Sequence, residues 1–271
     1  SLAKVNGRLL IFFCGGNGVV YGFQPVGAPP PAGEVLKLEK VFQFDCDPTA
    51  PKTDVHKFNS NRRESPSNIF GLPVFLRDRL YVAGGGDLWI NGIVSGAGGI
   101  TKNSSSAFQL FGANTYSGAT LVNSATIFAR NAAAFGSSAT GTTFANGAGL
   151  GVLSGPYTLN EPLTFQGPGN YINAYSNIEL AGAISFAGTL TYTAYGPGVI
   201  SGTVTSSGTL SKNGADTLST SGNWPAFTGA VNVVAGGFAP TGTFPAAVNL
   251  FAPASLYGYG TTGPLTITGG T

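Results

Sequence analysis

The sequence predicts an all-β chain in two parts. Residues 91–271 form a solenoid of stacked rungs, and residues 1–90 form an antiparallel β segment before it; a β-sandwich is the alternative arrangement of the same strands. Three observations carry this reading. First, the stretch 98–128, GGITKNSSSAFQLFGANTYSGATLVNSATIF, returns about 110 residues later at 208–238, GTLSKNGADTLSTSGNWPAFTGAVNVVAGGF. Lys102-Asn103 matches Lys212-Asn213, Gly112 matches Gly222, and after one inserted residue Tyr116-Ser117-Gly118-Ala119 matches Phe227-Thr228-Gly229-Ala230. Repeated units of this kind bury their apolar faces only by stacking on neighbours. Second, apolar runs are short, end at Gly, Asn or Pro, and never sustain a 3.6-residue period, so strands are expected and helices are not. Third, residues 1–100 carry 10 Lys/Arg and 8 Asp/Glu, whereas residues 101–271 carry 3 of each, a composition boundary near Leu88–Gly99.

In chain order, RLLIFFCGGNGVVYGFQ at 8–24 reads as two strands around Gly15-Gly16-Asn17-Gly18, because Asn-Gly supplies the positive φ of a tight hairpin turn. Pro29-Pro30-Pro31 forces an extended connector. Residues 35–45 read as a half-exposed strand, and 47–67 as a long polar loop. Leu72–Leu76 and Arg79–Ala83 flank a turn at Arg77-Asp78. Further strands are expected at 107–111, 120–122, 126–129, 143–145, 158–159, 163–166, 177–180, 183–186, 189–194, 199–204, 217–220, 230–234, 247–250 and 265–268. Ladders of Asn and Thr suit like residues stacked between rungs. At roughly 20–25 residues per rung and ~4.8 Å spacing, about eight rungs make a body about 40 Å long. Its end rungs expose unpaired backbone, which templates association.

Two resemblances sharpen these expectations. GANTYSGATLVNSATI, preceded by GGITKN, resembles the autotransporter-associated β-strand repeat of bacterial secreted passengers. That resemblance implies a right-handed parallel β-helix exported to the cell surface or the extracellular space. LPVFLRDRLYVAGGGD, together with LLIFFCGGNGVVYGF and VFQFDCDP, resembles a fragment of a pyrroloquinoline-quinone-type β-propeller. Some 90 residues supply about two four-stranded blades, short of a closed propeller. The blades that hold that family's cofactor are missing from the match, so no cofactor is expected.

Composition excludes several functions. Net charge is +2 with a pI near 8.5, which speaks against a nucleic-acid partner. The longest apolar run, Leu9–Cys14, is far shorter than a membrane-spanning helix, and the alternating ten-residue strands and aromatic girdles of an outer-membrane barrel are not discernible. The chain begins SLAKVNG without Met and reads as a mature or excised segment. Cys14 and Cys46 form either one disulfide or two separate thiols. With one histidine, His56, two residues from Asp54 in a polar loop, neither a Ser-His-Asp set nor a zinc site is expected. Glu161 and Glu179, the only acids between Asp87 and Asp216, lie about one rung apart, where stacking on neighbouring coils is open to them. Arg62-Arg63, Arg77 and Arg79 read as solvated loop charge. Asn103-Ser104-Ser105 is a single glycosylation sequon.

The expected function is therefore non-enzymatic: a structural protein of the cell surface or extracellular space that self-associates as a homo-oligomer, a filament or a surface layer. Within Leu9, Leu10, Ile11, Phe12 and Phe13 two readings stand, a strand donated to the next subunit and an internal core strand. The alternative function is an adhesin or glycan-binding module. It would use some of the aromatics Phe108, Phe111, Phe128, Phe135, Phe144, Phe165, Phe186, Trp224, Phe227, Phe238, Phe244 and Phe251, which otherwise fill the core.

Overall fold

In the computed structural model, the described residues are 2–5, 7–14, 19–28, 31, 36–45, 74–76, 79–81, 87–90, 92–222 and 224–268. Every regular element among them is a β-strand. The chain divides into two compact units, Ser1–Ile93 and Val94–Thr271.

The first unit holds a four-stranded antiparallel sheet in sequence order, Leu2–Val5, Arg8–Cys14, Val19–Pro25 and Leu38–Asp45. The register shifts between Gly22 and Phe23. A Cβ at Gly22 would stand 2.8 Å from that of Phe42. The missing side chain leaves room for Phe12 and Phe42 to meet edge to face, ring centres 5.8 Å apart. Val74–Leu76 and Arg79–Tyr81 form the expected second hairpin. The Gly15–Gly18 turn, Cys46, the 47–67 loop with Asp54, His56, Arg62 and Arg63, and Arg77 lie outside the described residues.

The second unit is a parallel β-solenoid of about nine turns with three strand-bearing faces. The first face stacks Ile100–Lys102, Thr120–Val122, Thr142–Phe144, Leu163–Phe165, Ile184–Phe186 and Val204–Thr205. The second stacks Phe108–Leu110, Thr126–Ala129, Gly149–Val152, Asn170–Ala174, Thr189–Ala194, Thr209–Asn213, Ala230–Val233, Ala247–Phe251 and Leu265–Thr268. The third stacks Tyr157–Leu159, Ile178–Leu180, Gly198–Ile200, Thr217–Thr220, Gly237–Pro240 and Ser255–Leu256. Register partners on the first face are 20–22 residues apart. The step shortens to 17 between Val231, Val248 and Leu265 on the second. About nine turns form where about eight were expected, because most steps lie at the short end of the 20–25-residue range and the last fall below it.

Alternation along each strand sends every second residue inward, and parallel register turns those residues into columns. On the second face one column runs Phe108, Ile127, Leu150, Ile172, Tyr192, Lys212, Val233, Leu250 and Ile267. On the first face Val122, Phe144, Phe165 and Phe186 align, and the Phe144 and Phe165 rings stack at 4.5 Å. Near the later turns Trp224, Phe227, Phe238 and Phe244 pack as one aromatic cluster. Polar ladders run on the outside: Asn123 donates to Asn103 at 2.7 Å and Asn249 to Asn232 at 2.8 Å.

The long repeat acquires a structural meaning here. Lys102 and Lys212 are both buried. The Lys102 ammonium donates to the carbonyls of Ser104 (2.7 Å) and Ser124 (2.6 Å). The Lys212 ammonium donates to those of Asn213 (3.1 Å), Gly214 (3.1 Å) and Ala235 (2.8 Å). Ser104 corresponds to Gly214 and Ser124 to Ala235 in the repeat. The two copies nevertheless occupy different faces, since Ile100–Lys102 belongs to the first and Thr209–Asn213 to the second. The repeated unit is thus a strand–corner–strand device that works at more than one corner of the coil.

Candidate functional surface

The second face carries an outward aromatic surface built by the same registry. Its outward rows include Thr126, Gly149, Tyr171, Thr191 and Ser211 in one, and Gln109, Phe128, Gly151, Asn173, Thr193 and Asn213 in the other. A Cβ at Gly149 would overlap the Tyr171 ring, and one at Gly151 the Phe128 ring. These glycines let the two rings lie across the sheet, and the Tyr171 hydroxyl reaches Thr126 Oγ1 at 2.6 Å.

Past the ends of their strands, Tyr175 and Tyr195 stand on successive turns because Ala174 pairs with Ala194. Their rings stack with centres 4.7 Å apart and planes 6° apart. Phe128 approaches Tyr175 at 6.3 Å. Tyr175 is 39% exposed and Tyr195 58%. Burial raises the Tyr175 pKa, the phenols of Tyr195 and Tyr171 add to it, and a hydrogen bond with Asn173 opposes it. On the following turn the Asp216 amide donates to the Ala194 carbonyl at 3.2 Å, which sets Asp216 at the same corner. Its carboxylate accepts the Thr217 amide at 3.3 Å.

A second feature is a cleft of about 190 Å³ lined by Ala132, Phe135, Ser138, Asn160 and Glu161, among others. Glu161 is buried and accepts a hydrogen bond from Thr142 Oγ1 at 2.7 Å. Desolvation pushes its carboxyl up to about 7, with the Thr142 bond acting against the shift.

The two acids do not stack. Glu179 pairs in register with Thr158 and Val199, and it accepts from Thr158 and Ser201 on the outside of the third face, which lowers its pKa. Glu161 lies past the end of Tyr157–Leu159, in a corner of the coil. An 18-residue offset is shorter than the 21 residues separating Thr158 from Glu179 in this part of the coil, so the two acids fall at different positions around it.

Nine of the twelve aromatics expected to divide between core and surface are buried, leaving Phe111, Phe128 and Phe251 partly exposed. The exposed stripe consists instead of tyrosines. Leu9–Phe13 lies in Arg8–Cys14, which pairs with Leu2–Val5 on one edge and Val19–Pro25 on the other; Phe12 is buried while Leu9 and Phe13 are exposed. Among the described residues no group of three or more His, Cys, Asp or Glu is placed to hold a metal ion, and no helix is long and apolar enough to cross a membrane.

No family model matches the chain, and no solved structure matches it. Over 65 residues, 24% of the chain, it is 40% identical to the Adhesin BmaC autotransporter of Brucella suis biovar 1 (strain 1330). The chain spans about 2% of that relative's length. This similarity and the parallel solenoid fit the autotransporter-passenger resemblance of residues 91–271. Nothing in the comparisons supports the propeller resemblance of residues 1–90.

Proposed function

We propose that this chain is a non-enzymatic, adhesin-like segment displayed on a bacterial surface, in which the solenoid serves as a stiff shaft carrying binding surfaces. The observation that supports it most is the unbroken parallel stacking of the second face, nine strands long, in a chain with local similarity to an autotransporter adhesin. Each turn hydrogen-bonds to the next, so residues twenty apart in sequence come within one strand spacing and a binding row grows with the coil. Lone His56 and the separated Glu161 and Glu179 favour a binding role over catalysis. The test is to display the chain on a bacterium through a heterologous outer-membrane barrel and count cells adhering to epithelial monolayers. Several-fold more adherent cells than with the barrel alone is expected; equal numbers would defeat the reading.

Self-association is the second reading, and one observation favours it. In Arg8–Cys14 the apolar side chains of Leu9 and Phe13 are exposed on the antiparallel sheet of the first unit, Phe13 57% exposed. Exposed apolar side chains on a sheet favour packing against another chain. Sedimentation over a hundredfold concentration range is expected to show species larger than a monomer, reduced by Phe13→Lys; one monomeric species throughout would rule it out.

A further inference from the structure

We propose that the corner formed by Tyr175, Tyr195 and Asp216 is a docking platform for a neutral pyranose sugar. This deepens the adhesin reading by naming its ligand class, and it rests on that reading. One face of the Tyr195 ring is covered by Tyr175, and among the described residues no other ring packs against Tyr195. The parallel pair fixes a flat, apolar surface that is held by the ladder beneath it rather than by ligand, so little conformational freedom is lost on binding. A pyranose with equatorial hydroxyls presents the matching shape, a flat patch of C–H groups above and below the ring and hydroxyls around its rim.

The polar groups at the rim complete the match. Asn173 and Thr193 point outward beside the two tyrosines, and the Asp216 carboxylate, bonded to the Thr217 amide, keeps further lone pairs to accept a sugar hydroxyl. A carboxylate makes the stronger kind of hydrogen bond to a hydroxyl, and an acidic side chain at the rim disfavours sialylated or sulfated sugars at the same spot. The nearby outward rows, Tyr171, Thr191 and Ser211 beside Asn173, Thr193 and Asn213, contain no charged side chain. A second sugar unit along the ladder therefore meets hydroxyl and amide groups.

The experiment uses the full chain on a glycan array containing neutral glucose, N-acetylglucosamine and galactose oligomers, sialylated and sulfated oligomers, and immobilised choline as a cationic control. Calorimetry against cellohexaose and chitohexaose follows. Neutral oligomers are expected to bind, with affinity reduced at least tenfold by Tyr195→Ala and Asp216→Ala and within about twofold of the parent in Tyr195→Phe. Circular dichroism confirms that the variants keep the β spectrum. A substitution that unfolds the chain is replaced by Thr193→Lys, which blocks the rim without touching the stack. Exclusive binding of acidic sugars or of choline, no sugar binding at all, or sugar binding untouched by Tyr195→Ala would each overturn the platform. Adherence of displaying cells that persists in Tyr195→Ala would separate loss of this proposal from loss of the adhesin reading.

Discussion

The Lys212 ammonium donates to the carbonyl of Ala235, one turn further along the coil, at 2.8 Å. Two carbonyls of its own corner accept its remaining protons. Burial pulls the ammonium down to about 8, with Asp216 opposing the shift, so it is still charged at neutral pH. A cation placed inside an apolar column is thus paired with three corner carbonyls.

Replacing Lys212 with Met keeps the apolar stem and removes those three hydrogen bonds. Hydrogen bonds to charged groups are worth about 1.5–3 kcal/mol, so a loss of about 2 kcal/mol is expected, read as a lower midpoint in urea unfolding. An unchanged midpoint would show that the stem, rather than the ammonium, is what the corner requires.

Glu161 sets a pH dependence of definite sign. Its carboxyl titrates near 7 when folded and near its ordinary value of 4.5 when unfolded. Between these values the folded chain holds a proton that the unfolded chain has released, so stability falls as pH rises from 4.5 to 7. The span corresponds to an effect on the order of 2–3 kcal/mol. Unfolding midpoints of the parent and Glu161→Gln, compared at pH 4.5 and 7.5, are expected to diverge, the parent losing more on going to 7.5. Parallel behaviour of the two proteins would remove Glu161 as the cause.

Tyr192 is a fully buried residue whose hydroxyl has no hydrogen-bond partner among the described residues, and it points at Gly198, where a Cβ would overlap its oxygen. Burying an unpaired hydroxyl costs about 1–3 kcal/mol. Tyr192→Phe keeps the ring in its column and is expected to raise the unfolding midpoint by the equivalent of about 1 kcal/mol. A lower midpoint would mean that the hydroxyl stabilises the coil after all.

Much of the solenoid was legible in the sequence because strand and corner signals are local. Thr189–Ala194 and Thr217–Thr220 alternate cleanly and end at turn residues, and both lie where expected. Gly149–Val152 was missed because GLGV reads as a break. Its glycines are instead the floor beneath the Tyr171 and Phe128 rings, a reason that lies on neighbouring turns. The tyrosine pair was missed too. A lone exposed aromatic at a corner has no period of its own, yet Ala174-Tyr175 returns as Ala194-Tyr195 after 20 residues, and that shorter repeat would have revealed it. The 110-residue match marks the corner device, and the expected rung of roughly 20–25 residues agrees with the 20–22-residue step of the first face.

The glycine of that device supplies the last prediction. Gly118 and Gly229 occupy equivalent repeat positions, and a Cβ on either would run into the backbone of the turn before it, at Gly98-Gly99 and at Gly208 respectively. Close approach keeps the corner hydrogen bonds formed: Gly118 N–H to the Gly98 carbonyl at 3.2 Å, and Ala230 N–H to the Gly208 carbonyl at 3.2 Å. A methyl group there has backbone, not a flexible side chain, to displace, so the turns must separate. Gly229→Ala is expected to cost about 1–3 kcal/mol, the range of overpacking in a close-packed interior. At Gly188, whose positive φ disfavours any L side chain but whose added Cβ would meet open space, alanine brings backbone strain alone. Comparing the two variants by urea unfolding, with hydrogen exchange at the Ala230 amide, separates the effects. Faster exchange at Ala230 is expected in Gly229→Ala and not in Gly188→Ala, and equal exchange in both would mean that the corner tolerates the methyl group.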